Sequence, residues 1–276
     1  MIYATSAYLN AMCDNWHGLI VNDYQAVMPM PWRKKMGFRY GYIPAFIQQL
    51  GLIGNMEGID FSELMQPVHA FLSLADLHFN FSNQRIQDRF SVAEKTNLII
   101  DLAQGYEQIH TGYRNDLKEN IRKAGSEKLV YADADIKEAI SCYHTYYGKR
   151  MPHIKQEDYS RFQSLCEGLQ EKNQCFIKAV KNENGSLLAL GLFLKDTKRI
   201  YNVMNTTLPV GRDKEANHFL IDQLIREFAG QSLLFDFEGS ELKGVKHFYE
   251  SFGAVSQPYF HYHFNGLPWL LRSFKR

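Results

Sequence analysis

The chain has little that would tie it to a bilayer, a disulfide scaffold or a polyanion. Its apolar runs, such as residues 187–194, fall far short of the ~20 residues that a membrane-spanning helix requires. The first residues show no basic-then-apolar signal pattern, so membrane insertion and export are not expected and a cytoplasmic location is. Lysine and arginine total 31 against 30 acidic residues, which leaves no global field to attract nucleic acid. Cys13, Cys142, Cys166 and Cys175 form neither a CxxC pair nor crowded spacing, so they read as reduced, mostly buried thiols. Only His261 and His263 are close enough to share a strand face; with no third ligand nearby, no metal is expected. Repeats and low-complexity tracts are missing too, which excludes a solenoid.

What is present is ordinary soluble composition, 45% apolar and 22% charged over 276 residues, enough for one large domain or two modest ones. Strand-like runs at 18–22 and 24–28 flank a turn at Asn22-Asp23, and Pro29 and Pro31 then predict a break in regular pairing. Residues 61–74 carry apolar side chains at helical spacing, with Asp60 or Ser62 as cap. Strands follow near 77–81 and 96–102, and a helix over 113–124 ends at Gly125. A first α+β unit thus spans 1–128. In 129–276 the pattern predicts helices at 136–147 and 159–169, and strands at 175–181, 187–195 and 200–206. A helix at 220–228, a strand at 233–237, a helix at 245–252 and a strand at 259–264 complete the order ααβββαβαβ. Three antiparallel strands leading into a βαβ crossover define a mixed sheet flanked by helices.

Two stretches carry a family resemblance. One is Asp236-Phe237-Glu238-Gly239-Ser240, then Gly244-Val245 and Phe248-Tyr249-Glu250-Ser251-Phe252-Gly253-Ala254; the other is the basic helix from Tyr113 to Ala124. Together with the element order, they resemble the GNAT acyltransferase superfamily, in particular its FemABX-like tandem subgroup. The resemblance implies an α+β chain of two GNAT-like units, each a mixed, mainly antiparallel sheet flanked by helices. It also implies a slot between splayed strands for acyl-coenzyme A, and a small-molecule or peptidyl amine acceptor in the cleft between halves. Two features depart from the family. Phe248-Tyr249 stands where tRNA-dependent Fem enzymes carry Phe-Lys, and only Gly211-Arg212 remains of the glycine-rich phosphate loop.

Direct attack of an amine on a thioester needs a proton acceptor and a held carbonyl, not a covalent triad. Asp236 and Glu238, two apart on a strand, would face one side and serve as general base; the alternative is a turn cap and a solvated strand end. Tyr249 is either core or, as the resemblance implies, the donor that protonates the leaving thiolate. Gly211 and Arg212 before a helix offer amides and a cation to phosphate, although Asp213 would oppose it. Asn205 and Thr206 are placed to bond pantetheine or the acyl carbonyl, or else to make a turn. Trp32, Arg33 and Tyr42 belong to a basic and aromatic cluster suited to an acceptor, or to a solvated loop, and Gln48 and Gln49 downstream are placed to orient a polar substrate, with at most one of them pointing into the cleft. The stripe of Arg114, Lys118 and Arg122 reads as a solvated helix face rather than a phosphate track.

The first functional reading is an N-acyltransferase using acyl-coenzyme A, most simply acetyl-coenzyme A, with a carboxylate base. The others are an aminoacyl-tRNA-dependent peptidoglycan aminoacyltransferase, the one case with a nucleic-acid partner, and a metabolite-binding protein that has lost catalysis.

Overall fold

Left-handed backbone at Asn22 (φ 50°) and Tyr24 (φ 57°) turns β1 (Trp16–Val21) back onto β2 (Ala26–Lys35), with Val21 opposite Ala26 and Trp16 opposite Pro31. β2 runs through the two prolines that the sequence marked as a break. The reason lies in the ladder: the Trp32 N–H donates to Asn15 on the β1 side, so Pro29 and Pro31 present their nitrogens to the opposite edge. Among the described residues, the strands on that edge are β4 (Ile53–Gly54) beside Ala26 and Val27 and β3 (Phe38–Gly41) beside residues 32–35. Pro29 falls in the gap, and Pro31 accepts the Tyr42 N–H at 3.3 Å through its carbonyl just past the end of β3, so the strand continues through both.

The computed structural model describes residues 1–239 and 241–269. Helix α1 (Ser6–Met12) precedes β1, and α2 (Phe61–Phe71) connects β3 to β5 (Leu74–Phe79) as a crossover between parallel strands. The Asp60 carboxylate caps α2 by accepting the Ser62 N–H at 2.7 Å, and Phe61, Leu64, Met65 and Val68 are buried on its apolar face. β6 (Val92–Lys95) completes the run, but it does not pair with β5. The strand Tyr259–Asn265, from the far end of the chain, lies between them, antiparallel to both.

The second sheet repeats the plan. β8 (Val130–Asp133), β9 (Cys175–Lys181), β10 (Leu187–Lys195) and β11 (Arg199–Thr207) form an antiparallel meander, and Asn184-Gly185 supplies the β9–β10 turn, with Gly185 at φ 80°. Helices α5 (Ile136–Tyr147) and α6 (Gln156–Gln170) pack on this meander. After β11, α7 (Pro209–Asp213) and α8 (Ala216–Phe228) cross over to β12 (Leu234–Asp236), which is parallel to β11. Beyond β12 lies β7 (Leu98–Asp101), a strand from before the meander, followed by β13 (Val255–Ser256). Helices α3 (Tyr106–Thr111) and α4 (Asn115–Ser126) follow β7, α9 (Lys243–Ser251) follows β12, and the strand Tyr259–Asn265 is β14.

The fold is therefore α+β, with two mixed sheets of seven strands. The chain divides by contacts into one unit of Tyr3–Thr96 with the residues from Gln257 onward, and another of Asn97–Ser256 with Met1–Ile2. The boundary drawn at 128 from the sequence does not coincide with either junction. Residues 97–128 bring β7 into the later sheet, and β14 returns to the earlier one. Among the described residues, no helix is long and apolar enough to cross a membrane.

Candidate active site

Pairing between β11 and β12 stops early. The parallel register runs from Arg199 opposite Leu234 to Tyr201 opposite Asp236, where β12 ends, while β11 continues to Thr207. Residues 202–207 keep β10 on one edge and, among the described residues, have no strand on the other. The Leu208 N–H donates to the Leu188 carbonyl at 2.9 Å, which sets the phase of the ladder. Thr206 and Met204 direct their backbone groups to β10, and Asn205 and Thr207 direct theirs to the open edge.

A cavity of about 1000 Å³ lies at that edge, the upper range for a small-molecule or cofactor site. Asn205 and Thr207 line it from β11, Gly211 and Arg212 from α7, Glu215 and His218 from the start of α8, Phe248 and Tyr249 from α9, and Tyr143, Tyr147 and Arg150 from α5 and the turn after it. Among the described residues, neither Arg150 nor Arg212 has a carboxylate partner. The neighbouring Lys214 is instead paired with Glu127.

The His218 Nδ1 lies 3.0 Å from a Glu215 carboxylate oxygen, whose partner oxygen is 3.3 Å from Lys123 Nζ. Burial pushes the imidazole pKa below its ordinary 6.5, and Glu215 offsets this only in part. His218 is thus neutral near pH 7, with Nδ1–H donated to the carboxylate and Nε2 the acceptor nitrogen, 3.5 Å from Asn120 Nδ2. Tyr249 stacks on Phe237 at 4.4 Å between centroids. Its pKa is raised by burial and by the nearby tyrosines and carboxylates, so its hydroxyl stays protonated and is available as a donor.

No family model matches the sequence, and no curated protein matches it significantly. Solved structures do. FemX is 14% identical with a TM-score of 0.65, over 91% of this chain and 89% of its own. L-PGS from Bacillus licheniformis is 12% identical with a TM-score of 0.53, over 94% and 86%. A third is the C-terminal domain (DUF2156) of an Agrobacterium fabrum protein assigned as a lysylphosphatidylglycerol synthetase, 11% identical with a TM-score of 0.52, over 89% and 83%. The chain has a FemABX-like tandem GNAT fold.

Within the FemABX-like frame, the residues expected from the sequence separate. Asn205, Gly211, Arg212 and Tyr249 come together in the one cavity. Thr206 does not: it is 1% exposed, and strand alternation turns it to the other face, so Thr207 lines the cavity instead. Gly211 and Arg212 do not precede the long helix but lie inside α7. A Cβ on Gly211 would meet the Leu188 carbonyl oxygen at 2.1 Å, so glycine is required there for α7 to pack on β10. The long helix α8 starts later, after Glu215 in left-handed backbone (φ 55°).

Asp236 and Glu238 do not line the cavity. Asp236 is fully buried, ion-paired to Arg199, and accepts the Glu238 N–H at 2.9 Å. β12 ends at Asp236, and Glu238 is left-handed (φ 60°), so the two-residue alternation that paired the carboxylates does not extend to it. Ser240 lies outside the described residues.

The acceptor candidates belong to the other unit, where each is engaged locally. Trp32 stacks on His17 at 5.5 Å and meets Phe71 edge-on. Arg33 is 2.5 Å from Asp14 and lies over the Tyr42 ring, while the Tyr42 hydroxyl accepts the Asp14 N–H at 2.9 Å; burial pushes Tyr42 up to about 12. Gln49 is buried, donating to Gln48 Oε1 and accepting the Phe81 N–H, and the Gln48 carbonyl accepts from His78 Nδ1 at 2.7 Å. Tyr42 and Gln48 border a cavity of about 10 Å³, room for no more than a water.

Sequence reasoning missed Glu215 and His218, whose i, i+3 spacing was the available signal. It also missed Tyr143 and Tyr147, which share a face of α5 at i, i+4.

Proposed function

We infer that the protein is an acyltransferase that moves an acyl group from an acyl-coenzyme A thioester, acetyl-coenzyme A being the simplest, to an amine. The observation that carries this reading is the divergence of β11 from β12 above a cavity large enough for the thioester arm. The open-edge N–H and C=O groups of Asn205 and Thr207 pair with the amides of pantetheine as an added strand would, and Arg150 and Arg212 supply cations for its phosphates. The attacking amine forms the new C–N bond at the thioester carbonyl and gives up a proton to Nε2 of His218, held by Glu215. The C–S bond breaks, and the departing thiolate takes the Tyr249 hydroxyl proton. His218 thus replaces the carboxylate base expected from the sequence, because Asp236 is enclosed.

Similarity to FemX favours a second reading, transfer from an aminoacyl-tRNA to an amine. Thermal unfolding separates them. Acetyl-coenzyme A at 100 times its dissociation constant should stabilise the protein by about 2.7 kcal/mol, whereas a shift produced by charged tRNA alone would replace the thioester reading. Tyr249→Phe should then lower kcat roughly 100-fold with donor affinity retained. Unchanged kcat would remove Tyr249 from the chemistry.

A further inference from the structure

Four asparagines in the later unit hold side-chain amide atoms that are buried and have no hydrogen-bond partner among the described residues: Nδ2 and Oδ1 of both Asn97 and Asn202, Nδ2 of Asn205 and Oδ1 of Asn217. Asn205 and Asn217 line the cavity. Asn202, only 4% exposed, is the first residue of β11 past Tyr201, where pairing with β12 ceases, and so stands at the apex of the opening. Its side chain shares a face with that of Asn205. Asn202 lies opposite Phe193 and Asn205 opposite Gly191; opposite residues share a sheet face, and positions 191 and 193 alternate to the same one. The register shift between Leu192 and Phe193 leaves Val203 as an extra residue on β11, and that bulge turns Asn202 to the face of Asn205, which lines the cavity, although Asn202 is not itself a lining residue. A regular strand would have turned it away.

A buried carboxamide with neither donor nor acceptor satisfied is unfavourable, and the surrounding Phe193, Ile200 and Phe235 are apolar. Its complement must come from what occupies the apex. Under the acyl-coenzyme A reading, on which this inference rests, the open backbone edge takes the pantetheine amides, and the acyl group itself reaches Asn202. We propose that the transferred acyl group carries a hydroxyl, and that Asn202 selects it. The chemistry is specific: an ammonium only donates and leaves Nδ2 unpaired, a carboxylate only accepts and leaves Oδ1 unpaired, and a plain alkyl chain leaves both. A hydroxyl satisfies the two together.

The test is calorimetric titration of the whole protein with free coenzyme A and two thioester pairs, acetyl- with glycolyl-coenzyme A and butyryl- with 3-hydroxybutyryl-coenzyme A. The hydroxylated member should bind about tenfold or more tightly in at least one pair. Asn202→Leu should abolish the preference and raise the melting temperature of the unliganded protein, since the orphan atoms are gone. Equal affinities within both pairs overturn the proposal, as would a preference that survives Asn202→Leu. If coenzyme A binds without discrimination between pair members, only acyl selection fails; if neither coenzyme A nor any thioester binds, the donor reading fails and takes this inference with it.

Discussion

Asp236 keeps one carboxylate oxygen on the Arg199 guanidinium and the other on the Glu238 N–H, and both charged side chains are enclosed. A carboxylate so engaged fixes the end of β12 relative to β11; it has no face left for a substrate proton. Removing one partner of a buried pair strands the other charge, so Asp236→Asn should lower the unfolding free energy in urea by roughly 3–5 kcal/mol. A variant of wild-type stability without turnover would instead return Asp236 to the reaction. The residue type suits a general base, but its burial against Arg199 argues against that role. Sequence spacing cannot register burial of that kind, because the Arg199 partner is supplied by a neighbouring strand.

At the scale of elements, α9 places Phe248 and Tyr249 on the cavity, and the Phe-Gly that ends it was legible in the sequence. Gly253 has φ 74°, and a Cβ there would meet the Gly112 carbonyl oxygen at 2.9 Å, so both backbone conformation and close approach demand glycine. Gly253→Ala should destabilise by roughly 1–3 kcal/mol, seen as a lower urea midpoint at unchanged slope. A loss below about 0.5 kcal/mol, the range of ordinary surface changes, would show that the turn relaxes. The meander β9–β10–β11 and the helices α5, α6 and α8 were also readable, since period-2 and period-3.6 patterns report which face is buried. The bulge at Val203 was not. It depends on the register with β10, and it decides that Asn202 shares a sheet face with Asn205.

Across the whole molecule, each sheet has a parallel pair, β3–β5 or β11–β12, and beside it a strand from the opposite half of the chain, β14 or β7. A fragment of residues 129–276, cut where the sequence suggested, lacks β7 and carries β14 without β5 and β6. It should show no cooperative thermal unfolding, whereas residues 97–256 should retain it. A cooperative transition in the first fragment would mean that the exchanged strands are dispensable. Local patterning in the sequence determined the α+β class, the order of most elements and the glycine turns, because such preferences act over a few residues. Only the tertiary structure decided where the units divide, which strand edge stays open, and which polar side chains remain unpaired, because each depends on pairing between segments distant in the chain.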